Sequence, residues 1–211
     1  MPFKKMAPLL QSYGIKLSGT LVRNPKELSA AWKKLKGAPA AMKAISPDFS
    51  HKSDAHAVAL NVTEFADAEK TMAKLIAALK AKKRDVKIEG VLVQPMGKGK
   101  ETIIGMKRDS VFGPTVIFGM GGIFAEALRD TSLRIAPVSP AMAAEMIGEI
   151  KGSKILCGLR GEKPVRIDQL AKIITGISRL ALAHPEVKEI DLNPVMAGEK
   201  EAVVVDARII I

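Results

Sequence analysis

Apolar residues recur along the chain with two different periods, and each period predicts one kind of element. A spacing of three to four residues predicts amphipathic helices. The helices expected on this basis are residues 4–13, a segment starting at residue 25, and residues 65–83, 141–150 and 167–183. Alternation, or a short continuous apolar run, predicts strands. The strands expected are residues 20–23, 39–45, 57–62, 88–94, 102–107, 115–118, 134–138, 187–192 and 202–207.

Glycine, asparagine and proline mark the ends of several of these elements. Gly14 suits the C-terminal cap of the first helix, and Asn24 followed by Pro25 predicts the start of the second, which Gly37 ends. Near residue 88 the pattern changes, and the next three predicted elements are all strands. We therefore expect an α+β (α/β) fold with two lobes, residues 1–88 and 89–211.

Composition narrows the class of protein. The chain has 211 residues, of which 47% are hydrophobic, enough to bury a sizeable core. Its single cysteine, Cys157, excludes an internal disulfide and is typical of a reduced compartment. The N-terminus does not resemble a signal peptide, and no apolar stretch approaches the roughly 18 residues that a membrane span needs. We expect a soluble cytoplasmic protein.

The charge is unevenly distributed. The net charge is +11, and residues 1–100 hold 19 Lys and Arg against 8 Asp and Glu, whereas residues 101–211 hold 14 of each. A basic half suits a polyanion such as a nucleotide polyphosphate, an anionic membrane or nucleic acid. The local peak from Lys80 to Arg84 is equally typical of the solvated last turn of a helix. Nucleic acid is disfavoured, because Tyr13 and Trp32 are the only Tyr and Trp.

Three polar features each leave two interpretations open. Lys43 lies inside the apolar run PAAMKAIS, so its stem either leads the ammonium outward or brings it to a bound phosphate. The cluster GMGG, residues 119–122, either presents backbone N–H groups to phosphate or forms a tight turn. The histidine of HKSD, residues 51–54, is either an exposed loop residue or part of a site.

A fourth feature indicates a metal site. The segment EIDLNP carries Asp191 and Asn193, and Asp206 follows in the apolar run VVVDAR. Side chains two residues apart share one face of a strand, so adjacent antiparallel strands would place the three on one face. Carboxylate and amide oxygens of this kind suit Mg²⁺ held jointly with nucleotide phosphates. The alternative is a solvated hairpin end, which the apolar flanks disfavour.

Several separated strings together resemble one family. VLVQPM, ETIIGMKRDSVFGPTVIFGMGGIFAEAL, RIAPV, IDLNPV and VVVDARI occur in order, after LLQSYGI and MKAISPDFSHKSD. The chain resembles, over nearly its whole length, the ATP-grasp (β) subunit of ADP-forming acetyl-CoA or acyl-CoA synthetases, relatives of succinyl-CoA synthetase. The resemblance implies an ATP-grasp fold whose two lobes close on a nucleotide.

The same resemblance assigns residues to the site. It implies that ATP or ADP is bound by Lys43, Glu89, Val91, Val93, Glu101 and Glu126. Lys43 would contact the phosphates, backbone groups of Val91 and Val93 would read the adenine edge, and Glu101 would meet the ribose. Asn193 and Asp206 match Mg²⁺ ligands, and Asp191 matches an acidic residue near the phosphohistidine docking site. Phosphoryl transfer fits such a set, because it needs charge neutralisation and positioning more than covalent machinery.

His51 resembles the family's relay histidine, which takes a phosphoryl group from a partner subunit and passes it to ADP. One departure follows it: where the family has a pair of glycines, this chain reads Ala55-His56-Ala57-Val58. Glycines would permit positive φ and close approach to phosphate. The departure implies a weakened or altered activity, or a relay through His56.

The resemblance implies an acid–CoA ligase (ADP-forming) subunit, dependent on Mg²⁺. No CoA-binding fingerprint is present, so we expect activity only with a CoA-binding ligase α subunit in a hetero-oligomer. The alternative is a non-catalytic, nucleotide-binding regulatory module of the same fold, favoured by the missing glycines.

Overall fold

A computed structural model describes residues 1–49, 57–122, 130–159 and 161–211. Helices and strands alternate irregularly through these ranges, as expected for mixed α and β structure. The helices are α1 (Phe3–Ser12), α2 (Pro25–Lys34), α3 (Phe65–Lys82), α4 (Pro140–Glu149), α5 (Ser153–Leu156) and α6 (Ile167–Ala183). The strands are β1 (Thr20–Val22), β2 (Ala40–Ile45), β3 (Val58–Val62), β4 (Gly90–Pro95), β5 (Lys100–Asp109), β6 (Gly113–Met120), β7 (Thr131–Ile135), β8 (Glu189–Ala197), β9 (Ala202–Val204) and β10 (Ala207–Ile210).

The chain divides into two compact units. The small unit comprises residues 2–5 and 18–96, and the large unit comprises Met1 and residues 6–17 and 97–211. The expected division at residue 88 differs from this grouping in two places: β4 lies in the small unit, and most of α1 lies in the large one. The reason for the first difference is that β4 is an inner strand of the small unit's sheet.

The small unit is a four-stranded antiparallel sheet in the order β1-β4-β2-β3. The apolar stripe of α3 packs against β2, and α2 packs near β1. Asn24 begins α2 as its sequence predicts, since its side chain accepts a hydrogen bond from the backbone N–H of Glu27 at 2.9 Å. The core comes from both layers and includes Val22, Leu28, Met42, Met72, Leu75, Leu79 and Val91.

The large unit is a six-stranded sheet in the order β10-β8-β5-β6-β7, with β9 also paired to β8. The helices α4 and α6 pack on each other and on this sheet. Residues that alternate along β5, β6 and β8 are fully buried, among them Ile104, Val116, Phe118 and Leu192. The intervening residues of the same strands point to the opposite face.

Local signals place most element ends within a few residues. The first helix ends before Gly14, whose φ of 77° is the left-handed conformation that glycine adopts without strain. Two expectations need correction. The strand expected over residues 187–192 runs to Ala197 as β8, and the one expected over residues 202–207 is broken, so that Val205 and Asp206 lie between β9 and β10. The interruption occurs opposite Asn193 and Pro194, which bond to Asp206 and Val205.

Candidate functional site

Asn193 and Asp206 are brought together by the pairing of β8 with the chain around the β9–β10 break. The backbone N–H of Asn193 donates to the carbonyl oxygen of Asp206 at 3.1 Å, and the N–H of Val205 donates to the carbonyl of Pro194 at 3.0 Å. Asn193 is exposed and Asp206 is half-buried. The Asp206 carboxylate accepts the N–H of Ala207 at 3.0 Å. An amide oxygen and a carboxylate, both hard oxygen donors, therefore lie on neighbouring segments of the large unit.

Asp191 lies two residues before Asn193 and opposite Arg208 of β10. Burial raises the pKa of its carboxyl, and the nearby carboxylates of Glu189 and Asp206 raise it further, while Arg208 opposes them. The influence of Asp206 places the two acids in one electrostatic environment. Asp191 and Asn193 thus lie two residues apart on the inner strand β8, and Asp206 lies on the segment that pairs with it.

A cavity of about 700 Å³ lies over this sheet on the face opposite the buried row. Its charged and polar lining includes Lys107, Asp109, Glu189 and Asp191. Gly105 forms part of its floor, where a Cβ would come within 3.0 Å of Ile117 Cγ2 and 3.2 Å of a backbone carbonyl oxygen. The cavity carries charges of both signs next to the Asp191 end of the site.

Lys43 lies in β2, paired with Val58 on β3 and Leu92 on β4. It is only 8% exposed, so its side chain is almost entirely removed from solvent. This burial argues against the interpretation in which the stem simply leads the ammonium out into water. Its predicted contact with nucleotide phosphates stays a prediction.

The strand expected to read the adenine edge needs correction. Val91 pairs with Val22 on β1 and Ala44 on β2, so β4 has a hydrogen-bonded neighbour on each side. Val93 lies in the same two ladders. Because the N–H and C=O groups of an inner strand are used by its neighbours, the backbone of Val91 and Val93 is not available to a base edge.

Glu89, which precedes β4, has a structural role that the sequence does not reveal. Its carboxylate accepts the backbone N–H of Phe3 at 2.9 Å and that of Lys4 at 3.0 Å. These are the first donors of α1, a helix with no acidic residue in its own first turn. Glu89 therefore caps α1, and the nucleotide contact expected of it stays a prediction.

Glu101 lies against the glycine cluster. The N–H of Gly121 donates to the Glu101 carbonyl at 2.8 Å. Gly122 has a φ of 60°, and a Cβ there would lie 2.7 Å from Glu101 Oε2. The cluster thus begins as the end of β6 and continues as a glycine turn packed on Glu101. The expected contact between Glu101 and ribose stays a prediction.

His51 and Glu126, both expected in the site, lie outside the described residues, as do Ala55 and His56. A residue not singled out from the sequence, Asp48, lies just before this stretch. Its carboxylate accepts the N–H of Lys87 at 2.7 Å and contacts Lys83 Nζ at 3.0 Å. The only sequence signal for it is the turn-forming string Ser-Pro-Asp.

Two features are absent from the described residues. No group of three or more His, Cys, Asp or Glu side chains is placed there to hold a metal ion. Within the same residues, no helix has the length and apolar character needed to cross a bilayer.

Known proteins match this chain over nearly its whole length. Residues 3–211 match the family of ATP-grasp domains. The chain is 44% identical over 204 residues to the β subunit of acetate–CoA ligase (ADP-forming) I from Pyrococcus furiosus, covering 96% of this chain and 88% of that subunit. It is 46% identical over 206 residues to acetate–CoA ligase (ADP-forming) I from Archaeoglobus fulgidus, covering 97% of this chain but only 30% of that longer protein.

Solved structures agree with these matches. Acetyl-coenzyme A synthetase 1 from Ca. Korarchaeum cryptofilum, in complex with coenzyme A and Ca-AMPCP, superposes with a TM-score of 0.88 at 39% identity, covering 97% of this chain and 90% of that one. Another structure of that protein contains coenzyme A and Mg-AMPPCP, with its phosphohistidine segment pointing towards the nucleotide binding site. It superposes with a TM-score of 0.79 at 36% identity, covering 96% and 88%.

Proposed function

Since the chain belongs to the ATP-grasp family and, within it, to the β subunits of ADP-forming acetate–CoA ligases, we propose that it is the nucleotide-binding subunit of an ADP-forming acyl-CoA synthetase. It moves a phosphoryl group between a phosphohistidine and ADP or ATP with Mg²⁺. The observation that carries this proposal is the pairing of Asn193 with Asp206 beside Asp191.

The donor set at this pair fits Mg²⁺. Mg²⁺ takes six oxygens and is commonly held by one or two carboxylates together with substrate phosphates. Asn193 and Asp206 would hold the ion through an amide oxygen and a carboxylate. When bound, the ion neutralises charge on the phosphates during transfer.

Nucleotide binding needs a cation as well as the metal ligands. Lys43 is a buried lysine of the small unit, and a buried ammonium is stabilised by a phosphate oxygen. Glu101, beside the glycine turn, would meet the ribose. We assign Lys43 to the nucleotide phosphates. The edge of the adenine base would be bound by backbone groups other than those of Val91 and Val93.

The phosphoryl relay is assigned to His51 of HKSD. In the direction of ATP synthesis, the phosphorus–nitrogen bond of phosphohistidine breaks while a β-phosphate oxygen of ADP forms the new phosphorus–oxygen bond. The neutral imidazole is then ready to accept another phosphoryl group. The phosphohistidine segment named in a solved relative supports this assignment, and Asp191 is the acidic residue that would face the relay.

Acyl-CoA chemistry is assigned to a partner. The match to this chain covers 30% of the Archaeoglobus fulgidus protein. It covers 88% of the Pyrococcus furiosus protein, which is named a β subunit. We propose a hetero-oligomer with a CoA-binding ligase α subunit, in the cytoplasm, where the exposed thiol of Cys157 stays reduced.

The alternative function is a regulatory nucleotide-binding module, favoured by Ala55-His56-Ala57 in place of paired glycines. Ala57 is fully buried, and its carbonyl accepts the N–H of Ala44 at 2.9 Å. The backbone φ angle of Ala57 is not positive. At position 57 the departure therefore introduces no backbone strain, which favours the catalytic function.

Reconstitution with a CoA-binding subunit tests the proposal. The pair should convert acetate, CoA and Mg-ATP to acetyl-CoA, whereas this chain alone should not. His51→Ala should abolish the turnover of the pair while leaving Mg-ADP affinity within about twofold, because a relay residue acts in transfer rather than in ground-state binding. Nucleotide binding without His51 labelling, in the presence of an active partner, would favour the regulatory module.

A further inference from the structure

The strand β7 is the last strand on one side of the large unit's sheet, and no strand among the described residues pairs with its outer edge. On its inner edge it pairs with β6, and the Ala136 N–H continues that ladder by donating to the Pro114 carbonyl at 2.9 Å. Bonded and non-bonded residues alternate along an antiparallel ladder, so Ser132 and Arg134 also direct their N–H and C=O groups to β6. The backbone groups of the residues between them point to the outer edge.

The side chains on one face of β7 are exposed and mostly apolar. Leu133 is 55% exposed and Ile135 is 48% exposed, and Thr131 is exposed on the same face. These three residues are also the ones whose backbone groups point outward. An edge strand with free backbone groups and exposed apolar side chains pairs readily with another strand.

The other face of β7 carries a charged cluster. The Arg134 guanidinium contacts the Glu149 carboxylate on α4, and the Ser132 hydroxyl donates to the same carboxylate at 2.7 Å. Arg134 Nη1 also donates to the carbonyl oxygen of Leu133 at 2.9 Å. One of the outward-pointing acceptors of the edge is thus occupied by a side chain that also binds Glu149.

The order of residues along β7 suits pairing with a second copy of itself. If two antiparallel copies meet with Leu133 opposite Leu133, then Thr131 lies opposite Ile135, and all the outward backbone groups of the strand are paired. Arg134 then lies opposite Ser132 of the other copy, next to the Glu149 carboxylate of that copy. The register displaced by two residues in one direction would place Arg134 opposite Arg134, and like charges directly opposite each other are destabilising. Displacement in the other direction would leave Ile135 beyond the end of the other strand.

We propose that this chain forms a homodimer by antiparallel pairing of its β7 edges, centred on Leu133. The pairing joins the two six-stranded sheets into one continuous sheet. It is a closed two-fold contact, in which the same surface serves both copies. Each Glu149 carboxylate lies near the Arg134 guanidinium of both copies, and the exposed apolar side chains of the edge are covered. The dimer does not depend on the proposed nucleotide chemistry.

Cross-linking tests the register. Residues that form a bonded antiparallel pair have Cα atoms about 5.5 Å apart, which lies within the range of roughly 4.4–6.8 Å that a disulfide spans. In the full chain carrying Cys157→Ser, which removes the exposed native thiol, Leu133→Cys should therefore give a disulfide-linked dimer on mild oxidation. Leu60→Cys is the matched control, because Leu60 is 58% exposed on β3, the edge strand of the small unit's sheet. It should stay monomeric on non-reducing electrophoresis.

Sedimentation equilibrium of the full chain over a range of concentrations tests the association itself. The wild type should show a reversible equilibrium between monomer and dimer. Leu133→Lys should weaken it by about tenfold or more, because two ammonium groups would face each other and an apolar contact would be lost. Leu60→Lys should associate like the wild type. Thermal unfolding at the lowest concentration shows whether both variants fold.

Each contrary result overturns the proposal. A wild type that is monomeric at every concentration, with no Leu133→Cys disulfide, excludes the dimer. A dimer that is insensitive to Leu133→Lys, or a disulfide that forms equally with Leu60→Cys, places the contact elsewhere. If the chain is monomeric and Leu133→Lys instead blocks assembly with a CoA-binding subunit, the β7 edge belongs to that subunit. If Leu133→Lys fails to fold, the two cysteine variants decide.

Discussion

The backbone N–H of Asn193 donates to the carbonyl oxygen of Asp206 across 3.1 Å, at the point where the chain between β9 and β10 leaves regular pairing. The bond holds the two segments opposite each other where both proposed metal ligands lie. Because it is made by the backbone, replacing either side chain leaves the bond in place. Replacing the Asn193 side chain therefore tests a ligand role with this bond intact, whereas replacing that of Asp206 also removes the acceptor of the Ala207 N–H.

Asn193→Ala and Asp206→Ala should each weaken Mg-ADP binding by about tenfold or more, since a contact to a charged group contributes roughly 1.5–3 kcal/mol. Affinity for ADP in the presence of EDTA should change little. Calorimetric titration with and without Mg²⁺ gives both values. Glu201→Ala, an exposed carboxylate in the β8–β9 turn, is the matched control. Equal losses with and without Mg²⁺ would contradict a ligand role for the pair.

Asp109 provides a prediction about acid stability. It closes the β5–β6 turn by accepting the N–H groups of Phe112 and Val111 at 2.9 and 2.8 Å, which lower the pKa of its carboxyl. A lowered folded-state pKa contributes stability above the unfolded value of 3.8, and this contribution is lost as pH falls through the folded value. Asp109→Ala should therefore melt lower than the wild type at pH 7, by a margin that shrinks below about pH 4.

Thermal unfolding at pH 7, 5 and 3 measures this margin. Asp85→Ala removes an exposed carboxylate from the α3–β4 connection. At pH 7 its melting temperature should not fall below that of the wild type by a comparable amount. A margin for Asp109→Ala that stays constant to pH 3 would mean that the turn bonds do not depend on the charge of the carboxylate.

Local patterns predicted much of this protein, because helices and caps depend on neighbouring residues. The helix predicted over residues 65–83 is α3, ending at Lys82, and the Asn24 cap bonds a residue three positions away. The matches to the family and to solved structures confirm the predicted ATP-grasp fold. The helix and the cap need no knowledge of the rest of the chain, whereas the ATP-grasp fold is implied by a resemblance that extends over nearly its whole length.

Features set by distant pairing could not be predicted in this way. Glu89 caps a helix 86 positions earlier in the chain, and nothing near it in sequence indicates that contact. Val91 and Val93 lose their expected role because β4 lies between β1 and β2, an order fixed by tertiary packing. The proposed metal ligands lie between these cases: the spacing of Asp191 and Asn193 on one strand could be read from the sequence, but the break at Asp206 depends on the pairing with β8.

Lys43 allows the phosphate contact to be separated from stability. Lys43→Met removes the ammonium but keeps an apolar stem of similar length in a position that is 8% exposed. Mg-ATP affinity should fall by about tenfold or more, because a charge-assisted bond contributes roughly 1.5–3 kcal/mol. The melting temperature without nucleotide reports the effect of the substitution on stability separately, because Lys43 also interacts with other groups of the protein.

Lys74→Met, on the exposed side of α3, is the control for loss of one positive charge, and it should leave Mg-ATP affinity unchanged. Calorimetry and thermal unfolding on the same samples give both quantities. Unchanged Mg-ATP affinity in Lys43→Met would remove Lys43 from the nucleotide site.

Glu89 gives the sharpest contrast between the role expected from family resemblance and the role its contacts display. Glu89→Ala leaves the Phe3 and Lys4 N–H groups without their acceptor and removes the negative charge from the N-terminus of α1. Loss of such a cap typically costs about 1 kcal/mol, so the melting temperature should fall by about 2–4 °C. Affinity for Mg-ADP should not change if capping is the residue's whole role.

Glu89→Gln distinguishes the charge from the acceptor. The glutamine side chain has one acceptor oxygen in place of two, so it can accept only one of the two N–H groups well. It also lacks the negative charge that favours a helix N-terminus. The melting temperature of Glu89→Gln should therefore lie between those of Glu89→Ala and the wild type. Glu69→Ala, an exposed acid on α3, should melt as the wild type does. A loss of ADP affinity in Glu89→Ala, with the melting temperature unchanged, would restore the nucleotide contact and reject the cap. Loss of both would mean that Glu89 contributes to nucleotide binding as well as capping α1, since each carboxylate oxygen keeps a lone pair available while it accepts one N–H group.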